Sequence, residues 1–146
     1  MGMKQPPLHQ TDPMKFIHRQ TYSRHKLTVF TVHGVIDAGQ LLDELRDYYA
    51  GQPTLHSLWN FSEADLTAIS NDDILTLAHY IKQHSEHRRG GKSALVFAKD
   101  LDFGLGRMID AQLEIEGSPV TMGSFKNKAD ALKWLEISLL EAEPKQ

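Results

Sequence analysis

Apolar and polar positions follow two different periods along the chain, and segments of the two kinds take turns. Residues 14–21 (MKFIHRQT) alternate weakly, with Phe16 and His18 on one face and Ile17 and Arg19 on the other. This predicts a polar edge strand. Tyr22-Ser23-Arg24-His25 is a link of hairpin length, and residues 27–36 (LTVFTVHGVI), rich in β-branched side chains, predict a second strand. So short a link favours antiparallel pairing of the two. From Asp37 the period becomes helical. Asp37 and Gln40 are spaced as a capping box, Leu41, Leu42, Leu45, Tyr48 and Tyr49 form one stripe, and Gly51 with Pro53 ends it.

Residues 55–61 (LHSLWNF) predict a third strand, and residues 62–69 a polar loop. Ser70 and Asn71 precede a helix with Asp72 and Asp73 in its first turn, where the positive end of the helix dipole lies. Ile74, Leu77, Ala78 and Ile81 make its inner face, and it ends in His84, His87, Arg88 and Arg89 before Gly90-Gly91. The run Ala94–Ala98 does not alternate, so both of its faces should be covered, as in a parallel sheet flanked by helices. Asp100 or Asp102 then caps a helix with inner residues Leu105, Met108, Ile109, Gln112 and Leu113, broken by Gly117-Ser118-Pro119. Residues 120–125 predict a last strand. Asn127 caps a final helix with Asp130 in its first turn and Ala131, Leu132, Leu135 and Leu139 inside, Trp134 beside them. The order β-β-α-β-α-β-α-β-α predicts an α/β fold with a mostly parallel sheet, an N-terminal antiparallel hairpin and flanking helices.

Composition narrows the function classes. A chain of 146 residues suits one domain. Residues 14–140 are expected to form it, with 1–13 a disordered leader and 141–146 a tail. A net charge of -3 argues against a nucleic-acid partner, which needs a basic face. The absence of cysteine excludes disulfides and thiolate chemistry and is compatible with a cytoplasmic location. No run is long and apolar enough for a membrane span.

The strand ending in Leu58-Trp59-Asn60-Phe61, the segment Gly91-Lys92-Ser93-Ala94-Leu95-Val96, the helix start Phe103-Gly104-Leu105-Gly106-Arg107-Met108 and the closing Phe125 with Ala131-Leu132-Lys133-Trp134-Leu135 carry a resemblance. In their order and spacing the chain resembles the SpoIIAA-like family of the STAS and SEC14-like superfamily, over residues 14 to 140. The resemblance implies the fold above. It also implies a non-enzymatic binding or regulatory module acting through a protein partner or a small apolar, lipid-like ligand. In STAS antagonists a serine at the start of the helix after the third strand is a phosphorylation switch, and Ser70 stands near that position. The usual Asp-Ser pair is absent, however: the chain reads Ile69-Ser70-Asn71-Asp72-Asp73. The plainer reading of Ser70 is an N-cap.

Other motifs offer little chemistry. Gly104-x-Gly106-Arg107 lacks the third glycine of a dinucleotide fingerprint and is read as close helix–sheet packing. His84 and His87 share a helix turn without a third converging ligand, so no metal is expected. His33 reads as a satisfied strand histidine, and no serine stands at a nucleophile elbow. No cofactor is implied. In open α/β sheets ligands bind beyond the carboxyl ends of the parallel strands. The candidate binding edge is therefore Asn60, Ser62, Ser70, Asn71, Lys99, Asp100 and Asp102, flanked by Gly34 and Gly123-Ser124. The alternative function, a small-molecule enzyme, would use Asn60, Lys99, Asp100 and Asp102 as acid, base or phosphate contacts. The first strand, as an edge, offers a route to a homodimer.

Overall fold

The computed structural model describes residues 16–138. The expected leader and tail, the start of the first strand at Met14 and the inner-face residue Leu139 lie outside the described residues. Nine main elements follow the expected order: β1 (Ile17–Tyr22), β2 (Leu27–Val35), α1 (Ala38–Ala50), β3 (His56–Asp65), α2 (Asn71–His84), β4 (Lys92–Val96), α3 (Asp100–Glu116), β5 (Thr121–Phe125) and α4 (Lys128–Leu135). Short 3-10 turns occupy Ser23–His25 and Glu86–Arg88.

The strands form one sheet in the order β1-β2-β3-β4-β5. β1 pairs antiparallel with β2, and the other neighbours are parallel. This sequential order decides where the helices go. Right-handed crossovers that always step in one direction place every connecting helix on the same face. Leu41 and Leu45 of α1, Ile74, Leu77 and Ile81 of α2, and Ile109 and Leu113 of α3 accordingly share one core with Phe30, Trp59, Phe61 and Leu95 of the sheet. The opposite face is left to α4. Its Ala131 and Leu135 close a smaller core over Leu27, Val29, Leu58, Ala94 and Val96. α4 reaches β3, β4 and β5. Among the described residues no helix covers that face over β1, where His18 and Gln20 stand.

Three helix starts follow the caps read from the sequence. Asp37 with Gln40 and Ser70 with Asp73 form reciprocal capping boxes, and the Asn127 side chain accepts from the Asp130 amide. The fourth does not. α3 is preceded by Lys99 in extended conformation, with Asp100 and Asp102 already in its first turn. β3 also differs, running on to Asp65 through the stretch expected to be a loop. Between Thr31 and His33 of β2 it carries one extra residue, so Thr31 pairs with Asn60 but His33 with Glu63. Such a bulge reverses which side chains face which side. Ala64 and Leu66 therefore turn into the core after Phe61, despite the polar residues between them. Met108 is a further correction: it is exposed, and the inner position is Gly106. A Cβ on Gly106 would lie 2.3 Å from the Phe97 ring and 2.5 Å from Ser124 Oγ, so this glycine does allow close helix–sheet packing.

The amino ends of the parallel strands meet a buried arginine. Thr28, Ser57 and Ser93 stand side by side on one rung, all buried on the helix-covered side. Arg88, expected in a basic cluster at the end of the second helix, instead follows that helix, is only 2% exposed and lies over this rung. Its guanidinium donates to Thr54 O (2.8 Å), Leu55 O (3.1 and 3.2 Å), Tyr49 OH (2.9 Å), Ser93 Oγ (2.9 Å) and Ser57 Oγ (3.4 Å). The rings of Tyr48 and Tyr49 lie 5.7 and 5.9 Å away. The Gly91 backbone passes so close to Leu55 O that a Cβ would sit 2.0 Å from it, which keeps the turn after Arg88 tight.

Removing this side chain would orphan buried carbonyls and hydroxyls together. Arg88→Ala is expected to cost about 3 kcal/mol and Arg88→Lys, which cannot reproduce the fork, about 1–2 kcal/mol. Urea unfolding checks this. The midpoints should fall in the order Arg, Lys, Ala, and equal midpoints for all three would remove Arg88 as the tie between strand ends.

Candidate functional site

The predicted strand-end residues are held in separate local motifs rather than around one point. Asn60 Oδ1 accepts from Ser62 N (3.0 Å) and Ser62 Oγ (2.7 Å), stabilising the β3 bulge. Asp65 repeats the arrangement at the end of β3, accepting from Thr67 N and Oγ1 (3.0 and 2.7 Å), and those bonds hold its carboxyl below the ordinary range. Ser70 Oγ accepts from Asp73 N (3.1 Å), and Asp73 Oδ2 accepts from Ser70 N (2.9 Å). Asn71 is the exposed first residue of α2. Asp100 pairs with Lys126 at 2.5 Å, which draws its carboxyl down, while Asp102 is buried against the start of α3. Lys99 precedes them and acts on Asp65 through its charge.

Beneath this edge lies a pocket that sequence periodicity could not show. It has a volume of about 80 Å³. Trp59 and Phe61 of β3 and Leu95 and Phe97 from β4 and the residue after it form its floor. Leu77 and Ile81 of α2 and Gly106 and Ile109 of α3 form its walls, with Leu66 and Ile69 from the link before α2. The floor rings are ordered: Phe61 stacks on Phe97 at 5.4 Å, and Trp59 on Phe30 at 3.9 Å. Every lining residue is apolar, so no acid, base or nucleophile faces the space. A drug-sized ligand needs about 300–1,000 Å³, and a cavity of about 150 Å³ takes benzene. This pocket suits a group of only a few carbon atoms.

The histidines do not converge. His33 lies 3.8 Å from Glu63 across the bulge and meets the His18 ring edge-on at 4.9 Å. His84 stacks on Tyr80 at 4.0 Å. Among the described residues no three His, Asp or Glu side chains could hold a metal ion. His56 is half-buried at the start of β3, where its Nδ1 accepts from Lys92 N (3.0 Å). Burial, then the charges of Arg88 and Lys92, push its pKa down, so the ring is neutral at pH 7. One further group stands out where α3 crosses β5. Asp110 Oδ1 and Ser124 Oγ are both buried without a hydrogen bond of ordinary geometry. Burial pushes the Asp110 carboxyl up to about 6, against a smaller pull downward from Ser124 and Arg107.

No protein-family model and no curated protein matches the sequence. Among solved structures the chain is similar to an uncharacterized protein of the DUF3478 family from Shewanella loihica PV-4, described as having a SpoIIAA-like fold. The two share 20% identity with a TM-score of 0.50, over 82% of this chain and 91% of that one. The chain thus has a SpoIIAA-like fold, in agreement with its five-stranded sheet and four helices. No helix among the described residues is long and apolar enough to cross a membrane.

The Asp110 geometry sets a pH dependence. Its folded pKa of about 6 lies above the unfolded value of 3.8, so between them the folded state binds more protons. Stability should therefore fall as pH rises from about 4 to 6, then level off. The full shift corresponds to about 3 kcal/mol, and solvent screening of this partly exposed group reduces that to on the order of 1 kcal/mol. Asp110→Asn should flatten this limb of the stability profile and stabilise the protein at pH 7. An unaltered profile in thermal melts would show that the carboxyl is not desolvated.

Proposed function

We propose that this protein is a non-enzymatic binding module of the STAS/SEC14-like kind, and that its recognition element is the pocket between α2, α3 and the carboxyl halves of β3 and β4. The observation that carries the reading is the wholly apolar lining of that space. Such a pocket binds by burial alone, at roughly 25 cal/mol per Å² of apolar surface removed from water. Its occupant is a small apolar group, either one side chain of a protein partner or a ligand of a few carbons. A whole lipid is too large for it. The enzyme alternative has less support, because Asp100, Asn60 and Ser70 at the strand-end edge are each engaged by a neighbour.

Ser70 is the candidate control point of the same site. It stands directly between Ile69 at the pocket and the first turn of α2, whose Ile74 lines the pocket. A phosphate there would break the capping box with Asp73 and place its charge beside Asp72 and Asp73.

Titration of the isotope-labelled protein with xenon, an apolar probe of about the size of the pocket, tests it directly. Shifts are expected at Leu77, Phe97 and Ile109, and Leu77→Phe, which fills the space, should abolish them in a folded protein. The reading fails if those resonances do not move, or if native mass spectrometry finds a co-purified phospholipid. Ser70→Glu should weaken the xenon shifts several-fold. Equal binding by this variant would remove Ser70 from the proposal while leaving the pocket.

A further inference from the structure

α3 carries two apolar faces, and the sheet uses only one. Gly106, Ile109 and Leu113 pack inward. On the outer side Leu101, Met108 and Ile115 are 79%, 41% and 78% exposed. They are seven residues apart, so they lie along one line of the helix. Gly104 and Ala111, also seven apart and exposed, lie between them. A Cβ at Gly104 would meet nothing within 4 Å, so packing within this chain does not require glycine there. The line therefore alternates large and small, as the a and d positions of a heptad seam. One flank carries Arg107 and Glu114, again seven apart, and neither makes an ion pair among the described residues.

We infer that this seam is a dimer interface, with α3 packing antiparallel on α3 of a second copy of this chain. An axis passing between positions 109 and 110 sets Met108 against the partner's Ala111 and Ile115 against the partner's Gly104. These two large side chains then each meet a small one, and the helices can approach closely at the centre of the seam. The same axis puts Arg107 and the partner's Glu114 on one flank of the seam, two residues from direct opposition and within reach of these long side chains, and symmetry repeats the contact. A parallel pair would instead set arginine on arginine, glutamate on glutamate and glycine on glycine. Shape and charge thus both favour antiparallel packing about this part of the helix, and each is complementary to itself, which is why the occupant is a second copy. Leu75, exposed on α2 one turn before His79, widens the patch, since His79 lies 3.8 Å from Glu116 of α3. This interface differs from the edge-strand route: β1 is held by Arg19, which pairs with Glu44 and Asp47 at 2.7 and 2.8 Å. It does not depend on the pocket reading.

Sedimentation velocity of the full chain, from micromolar to millimolar concentration, tests the inference. A reversible monomer–dimer equilibrium is expected, since a seam of this length falls at the low end of interface size. Arg107→Glu alone and Glu114→Arg alone should each weaken it about tenfold or more. Mixing the two variants should restore association, because the heterodimer regains both opposite-charge contacts; this also guards against a folding defect in either variant. Met108→Glu should leave a monomer. A chain that stays monomeric at every concentration overturns the inference. So does a dimer indifferent to both charge reversals, or a mixture of the two variants that fails to associate.

Discussion

A positive charge buried without a carboxylate beside it is the constraint on which the amino-terminal half of the sheet depends. The Arg88 guanidinium is surrounded by two backbone carbonyls, three hydroxyls and two tyrosine rings. A buried ion is costly unless every donor is used. Here the donors are used by groups from the link before β3, from α1, and from the first residues of β3 and β4. Thr28, Thr54, Tyr48 and Ser85 extend the network outward, so the ends of three strands and two helices are fixed to one another by polar contacts. The hydrophobic core begins immediately above. The apolar pocket lies at the other end of the strands.

That opposite end is shaped by the bulge in β3. Without the extra residue, Ala64 and Leu66 would face solvent and the link before α2 would have no apolar anchor on the sheet. With it, Leu66 and Ile69 reach the pocket, and Asn60 turns back to bind Ser62. Asn60 and Ser62, expected at the strand-end edge, thus help set the course of the chain around the apolar pocket.

Elements whose signal is local were legible in the sequence. Asp37, Ser70 and Asn127 cap their helices because the capping bond lies within three residues, and the strand–helix alternation follows from period alone. Signals that depend on distant chain were not. The extension of β3 through Ser62, Glu63 and Asp65 is polar by composition and is held as a strand by pairing with His33, Gly34 and Val35. Arg88 in the run His87-Arg88-Arg89-Gly90 resembles any helix end. Its burial follows from the hydroxyls at the second position of LTV, HSL and KSA, which become a rung only once the strands are in register. The pocket lies beneath the candidate edge, and its lining comes from hydrophobic residues that periodicity assigns simply to the core.

The strictly sequential order of the sheet has a consequence for how the chain can be made. Each new strand is added at the border left by the previous one, and none has to be inserted between strands already paired. A chain emerging from the ribosome can therefore build the sheet in one direction, starting from a hairpin of short loop length. The second face is the exception. Leu27, Val29, Leu58, Ala94 and Val96 wait for α4, the last of the described elements, so the second face of the sheet stays uncovered until that helix has been made. The nascent chain is most exposed to mispairing and chaperone capture just before residues 128–135 emerge.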